Sequence, residues 1–125
     1  MPAATLEEER MRKPLSVLAI AALALLALPA FGGTAMAAPK ATVFVGDNFF
    51  KPRGKVLRRG TIVRFRWIGR RTHNVVKRRG PGPRFRSRTT SRRGVNFAKR
   101  FRRRGNYLLI CTIHPREMRL RLRVR

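Results

Sequence analysis

The sequence predicts an all-β domain, a sandwich of about seven short strands over residues 38–125. Period-two hydrophobic alternation, closely spaced turn residues and the lack of helical periodicity beyond the N-terminal segment predict it. Thr61 to Ile68 alternates, with Val63, Phe65 and Trp67 on one face and Arg64 and Arg66 on the other. Arg119 to Arg125 alternates strictly: Leu120, Leu122 and Val124 point one way and arginines the other. This is the period of a half-buried strand in an antiparallel sheet. Val43 and Val45, Val56 and Leu57, Val75 and Val76, Phe97 to Phe101, and Tyr107 to Cys111 are further strand candidates. Gly46-Asp47-Asn48, Arg59-Gly60, Gly69, Gly80-Pro81-Gly82-Pro83, Arg93-Gly94 and Gly105-Asn106 separate them as turns. The expected core is Phe44, Phe50, Val63, Phe65, Trp67, Phe97, Phe101, Leu109 and Leu122. Lys77 to Arg93, rich in Gly, Pro, Ser, Thr and Arg, is expected to be a long surface loop.

The N-terminus has a different character. Pro14 to Met36 holds no charged residue and is rich in Ala and Leu; Arg12 and Lys13 precede it. Ala35-Met36-Ala37 then offers small residues at both positions that a signal peptidase reads. Residues 1–37 are therefore expected to be a secretory signal peptide, cleaved after Ala37. Glu7, Glu8 and Glu9 oppose a positive leader, which makes Met11 an alternative start. The competing expectation is an uncleaved membrane anchor, since the apolar stretch is nearly long enough to span. Either way residues 38–125 work on the far side of the membrane, in a periplasmic or extracellular setting.

That exported part carries 28 of the chain's 31 basic residues and only two acidic ones, Asp47 and Glu117, so the whole net charge of +26 lies on it. Such a charge favours anionic partners: an acidic protein face, anionic lipid or a wall polymer. Export makes nucleic acid the weaker choice, and no zinc-finger or aromatic RNA-binding signature supports it. A solvated basic face with no partner is the bland alternative. A single cysteine cannot form an internal disulfide, so Cys111 is a free thiol, an intermolecular link or a metal ligand.

The remaining chemistry is concentrated. Beyond the signal segment the chain has one Cys, two His and one Met: Cys111, His73, His114 and Met118. Three of them share the segment Cys111-Thr112-Ile113-His114-Pro115-Arg116-Glu117-Met118. Singly, each has an ordinary explanation: a small buried hydrophobe, a hydrogen-bonded imidazole, a core thioether. Jointly, two imidazoles, one thiolate and one thioether are the ligand set of a blue-copper electron-transfer site. Thiolate and thioether suit Cu(I) and imidazole suits both oxidation states, so one geometry serves both. Structural zinc recruits several Cys and His but not thioether. A cysteine hydrolase would use Cys111 with a His, but it leaves Met118 without a role.

These residues, with Asn48-Phe49-Phe50-Lys51-Pro52, Val56-Leu57-Arg58-Arg59-Gly60-Thr61-Ile62-Val63, Trp67, His73-Asn74-Val75-Val76 and Gly105-Asn106-Tyr107, carry a family resemblance. Over about residues 41 to 125 the chain resembles the cupredoxins, in particular the small plastocyanin-, amicyanin- and pseudoazurin-like proteins. The resemblance implies an eight-strand Greek-key β-sandwich with one copper ion at one end. It implies His73, Cys111 and His114 as equatorial ligands, Met118 as the axial one, and the His114 ring as an electron port in an apolar patch. The chain departs from relatives in three ways: a three-residue gap between His114 and Met118, Gly69 where relatives often have an Asn that braces the ligand loop, and a far more basic surface. The expected function is that of a monomeric, exported one-electron carrier with a redox partner bearing an acidic docking face. A copper storage or delivery module and a cationic polyanion-binding protein are the alternatives. A copper enzyme is not expected, because further copper ions need further histidines and this chain has only two.

Overall fold

A computed structural model describes Pro29 and residues 31–125. The chain divides between Thr34 and Ala35, and the architecture below is that of the second unit, Ala35–Arg125. Most of the expected signal peptide, including Arg12, Lys13 and the start of the apolar stretch, lies outside the described residues. Residues 31–39 have no regular secondary structure and are exposed except for half-buried Ala38. Among the described residues no helix is long and apolar enough to cross a membrane.

Eight strands follow: β1 Lys40–Gly46, β2 Phe49–Lys51, β3 Gly54–Leu57, β4 Thr61–Trp67, β5 Val76–Arg79, β6 Gly94–Phe101, β7 Gly105–Ile110 and β8 Arg119–Val124. They form two four-stranded sheets, ordered β2-β1-β4-β6 and β3-β8-β7-β5. Only the β1–β2 and β7–β8 connections stay within one sheet. This is the all-β sandwich that the alternation implies. The sheets are mixed rather than purely antiparallel, because β1 runs parallel to β4 and β3 parallel to β8. Period two reports which face is buried, and both pairings bury a face equally well.

Alternation decides the core. In β4, Val63, Phe65 and Trp67 are buried and Arg64 and Arg66 exposed; in β8, Leu120, Leu122 and Val124 are buried between exposed arginines. In β1 the same rule places Val43 and Val45 inside and turns Phe44 outward. Phe44 is 36% exposed, so its expected place in the core is corrected. Phe97 is half-buried, packing against the core at 5.6 Å from the Phe65 ring. All the buried core residues lie between Val43 and Val124, so the unit carries a complete core of its own. Fully burying each large apolar side chain stabilises the fold by about 1.5–3 kcal/mol.

The strands also define two ends. At the apex β1, β4 and β7 finish and β2, β5, β6 and β8 begin; at the base the reverse holds for β1, β4, β6, β7 and β8. Seven-residue strands rising about 3.3 Å per residue separate the ends by about 23 Å.

The segment Lys77 to Arg93 is more ordered than a plain surface loop. Its first residues, Lys77 to Arg79, belong to β5. Bridges join His73 to Thr90 and Val76 to Arg86, Ser87 is buried, and the Trp67 indole donates to the Thr90 carbonyl at 3.0 Å. The principal fixture is Lys77, only 5% exposed. Its ammonium donates to the carbonyls of Pro81, Gly82 and Pro83 at 2.6, 2.6 and 3.1 Å. It also lies 5.8 Å from the Tyr107 ring centroid. Proline and glycine leave those carbonyls without a ladder, and one three-donor cation satisfies them together.

Burial pushes the Lys77 pKa below 10.5, helped by the positive charges of Arg103, Lys99 and Arg84. Between that lowered value and 10.5 the unfolded chain binds more protons, so this group makes stability rise with pH through the window and fall as pH drops through it. Lys77→Met leaves three carbonyls unpaired and is expected to cost about 1–3 kcal/mol near neutral pH. It also removes the rise toward pH 10.5. Urea unfolding of both proteins across that range checks both effects.

Candidate metal centre

Two apex loops assemble the candidate residues. The β4–β5 connection carries His73 and Asn74, and the β7–β8 connection carries Cys111, Thr112, His114 and Met118. The second loop is closed by its own backbone: Cys111 N–H donates to the Met118 carbonyl at 3.2 Å and Met118 N–H to the His114 carbonyl at 2.9 Å. This continues the β7–β8 pairing by one residue and holds the three side chains on a short arc. Asn74 joins the loops. Its carbonyl oxygen accepts the Thr112 N–H at 2.9 Å, and its amide donates to Thr112 Oγ1 at 2.7 Å and Thr89 Oγ1 at 3.0 Å.

The clamp brings His73 against Cys111, with Nδ1 3.9 Å from Sγ. The two imidazole rings lie 5.4 Å apart, centroid to centroid. Met118, His73 and Cys111 are wholly buried, while the His114 side chain is 22% exposed. All four residues singled out in the sequence are thus at the apex. Among the described residues no three His, Cys, Asp or Glu side chains are gathered closely enough to make a metal cluster of those types alone.

Asp47 supplies an element that the sequence reading missed. It sits in the β1–β2 turn, where Asn48 adopts φ 67°, a left-handed value that Asn tolerates. Its carboxylate accepts the backbone N–H groups of Arg70 at 3.0 and 3.1 Å and of Arg71 at 2.9 Å, and faces His73 Nε2 at 3.1 Å. The Arg71 and Arg70 N–H bonds, then the His73 bond, lower its pKa from 3.8 to about 2. An ionised carboxylate only accepts, so His73 Nε2 carries a proton toward it, and in the neutral imidazole Nδ1 is then the nitrogen whose lone pair faces Cys111. A carboxylate on the far nitrogen of an imidazole is the usual way a metal-binding histidine is oriented.

Gly69 explains itself here: a Cβ at this position would overlap the Asp47 carboxylate. The tie between the two apex loops comes from Asn74, next to His73, with no Asn at position 69. The signals were present but faint. Asp47 is one of two acids in residues 38–125, and Asn74 directly follows the candidate histidine.

The His73 and Cys111 donor atoms stand at a separation that fits one soft-tolerant ion, while His114 completes no three-residue cluster with them. Sulfur and nitrogen bonded at about 2.3 Å and 2.0 Å to one ion, 120° apart, stand about 3.7 Å from each other. The observed 3.9 Å is close to this. Cys111, His73 and Asp47 also have the order of a nucleophile, base and orienting acid. Burial argues against that use: Cys111 and His73 are both 0% exposed, so no substrate carbonyl can reach the thiol. Met118 and His114 would also be idle.

No protein-family model matches the chain, and no curated protein sequence does. Solved structures do. Amicyanin from Paracoccus versutus superposes with a TM-score of 0.61 at 23% identity, over 72% of this chain and 85% of that one. Auracyanin A, a blue copper protein from Chloroflexus aurantiacus, gives 0.53 at 18% identity over 69% and 99%. A copper-containing nitrite reductase from Thermus scotoductus gives 0.59 at 25% identity over 72% of this chain, which spans only 23% of that enzyme. The domain has the cupredoxin-like blue-copper fold, as the sequence resemblance implied.

Gly69→Ala is expected to displace the Asp47 carboxylate from the Arg70 and Arg71 amides. The Asp47 pKa then returns from about 2 toward 3.8. Carboxyl carbon NMR titration measures this directly; an unmoved midpoint would show that Asp47 does not depend on the space Gly69 leaves.

Proposed function

We propose that residues 38–125 are an exported one-electron carrier that holds one copper ion with His73, Cys111, His114 and Met118. The observation that carries this reading is the buried His73 Nδ1–Cys111 Sγ approach of 3.9 Å, with the other nitrogen of His73 committed to Asp47. Copper bound there would supply a Cu(I)/Cu(II) couple. The chain's own groups do the rest. Asp47 holds the His73 ring and its proton in place, Asn74 fixes the distance between the two loops, and the buried walls keep water from the thiolate. His114 is the one partly exposed member of the set and offers the route for the electron. Ile113 and Ile68, 47% and 40% exposed, lie at the same end and provide apolar contact for a partner. The exposed Arg70, Arg71, Arg116 and Arg119 favour a partner with acidic groups around that contact. Because the rim is charged, encounter with such a partner should slow as salt rises.

Addition of Cu(II) to residues 38–125 is expected to give an intense blue thiolate-to-copper absorption band. Cys111→Ala abolishes the band; a band that survives this substitution, or never forms, sinks the assignment. Residues 1–37 are proposed to be the cleaved export signal. N-terminal sequencing of the exported protein is then expected to begin at Ala38, and a retained residue 1 or 11 would indicate an anchor instead.

A further inference from the structure

The charge of the exported part is unevenly placed. Its two carboxylates both lie at the apex, Asp47 in the β1–β2 turn and Glu117 in the β7–β8 loop. The base has none. There the β3–β4 turn and the β6–β7 turn meet the chain's last residue. Arg59 N–H donates to the Arg125 carbonyl at 2.8 Å, Gly60 N–H to the Phe101 carbonyl at 2.6 Å, and Arg125 N–H to the Leu57 carbonyl at 2.9 Å. These bonds bring exposed Arg58, Arg59, Arg100, Arg102, Arg103 and Arg125 onto one surface. A concavity of about 320 Å³ opens in it, lined by Arg59, Gly60, Arg100 and Arg102. Gly60 has φ 88°, and the Arg100 Nε–H donates to its carbonyl at 3.2 Å, which sets that guanidinium at the wall of the hollow.

We propose that this base docks on an anionic phospholipid surface, with lipid phosphate groups entering the arginine-lined hollow. Guanidinium forks suit phosphate oxygens geometrically as well as by charge. A protein partner fits less well. Stable protein interfaces are anchored by buried aromatic or aliphatic side chains, and none of the large exposed hydrophobics among the described residues lies in the two turns that build this surface. Clustered arginines without an apolar anchor are the pattern of surface-potential binding to anionic bilayers. With the base on the bilayer, the apex lies about 23 Å further out, several Debye lengths from the lipid charge and open to soluble partners.

Vesicle co-sedimentation of residues 38–125 tests this. Vesicles of phosphatidylcholine with 30% phosphatidylglycerol should bind the domain, and pure phosphatidylcholine should not. The triple variant Arg59→Gln/Arg100→Gln/Arg102→Gln should lose about 100-fold in affinity, about fivefold for each basic residue removed from the surface. The variant Arg70→Gln/Arg116→Gln/Arg119→Gln removes the same charge at the apex and should lose threefold or less. Circular dichroism of each variant checks that the fold is intact, and Lys substitutions at 59, 100 and 102 should restore most of the binding. Equal losses in both triple variants would overturn the proposal in favour of diffuse charge. A base variant that keeps vesicle binding but loses polyglutamate binding would assign the surface to an acidic protein. Saturation of the hollow by inorganic phosphate without vesicle preference would reduce it to a small-anion site. All arms run with and without copper, so the result stands apart from the metal assignment.

Discussion

The apex depends on the hydrogen bonds of one side chain, Asn74. Its amide grips Thr112 at both backbone and hydroxyl, across 38 residues of sequence, and also reaches Thr89. Without it the two loops that carry His73 and Cys111 have no polar tie at this point. With it, the imidazole and the thiol are held side by side in a dry interior before any ion arrives. Preorganisation of this kind lowers the conformational cost of binding, because the donors are already ordered. Asp47 extends the same logic one step outward by settling which nitrogen of His73 is free. The chain Arg71–Asp47–His73–Cys111 thus runs from exposed backbone to buried sulfur, each link positioning the next.

The fold bears its charge in an unusual way. Among the described residues the carboxylates of Asp47 and Glu117 approach His73 and His114, at 3.1 and 3.9 Å, and no arginine side chain is paired with an acidic side chain. The arginines stand on outward strand positions and turn tips, where water screens them. Self-repulsion of this size weakens a compact state. The closed two-sheet core and the buried polar ties oppose it.

How much of this was legible follows from the range of each interaction. Strands β4 and β8 were plain, because alternation is local and strong. The candidate loop from Cys111 to Met118 stood out, because three rare side chains crowd into eight residues. The outward turn of Phe44 was legible from Val43 and Val45 but was outweighed by its size. The parallel β1–β4 pairing was not legible, since pairing direction leaves no periodic trace. The roles of Asp47, Asn74 and Lys77 were hidden for a different reason: each side chain acts on backbone or on a partner fixed only by tertiary contact. Gly69 shows the same limit in reverse, since its meaning lies in a carboxylate from another loop.

The carbonyl ties made by Lys77 have a consequence for resistance to proteolysis. A chain so rich in arginine offers trypsin-like proteases a cleavable bond at nearly every turn, and residues 84–93 hold several such bonds on one exposed stretch. Proteases need an extended, freely fitting segment. The carbonyls bound to Lys77, buried Ser87 and the Thr90 bridge to His73 deny that segment its freedom. Cleavage there must wait for local opening, so its rate within this loop is set by the free energy of releasing the loop.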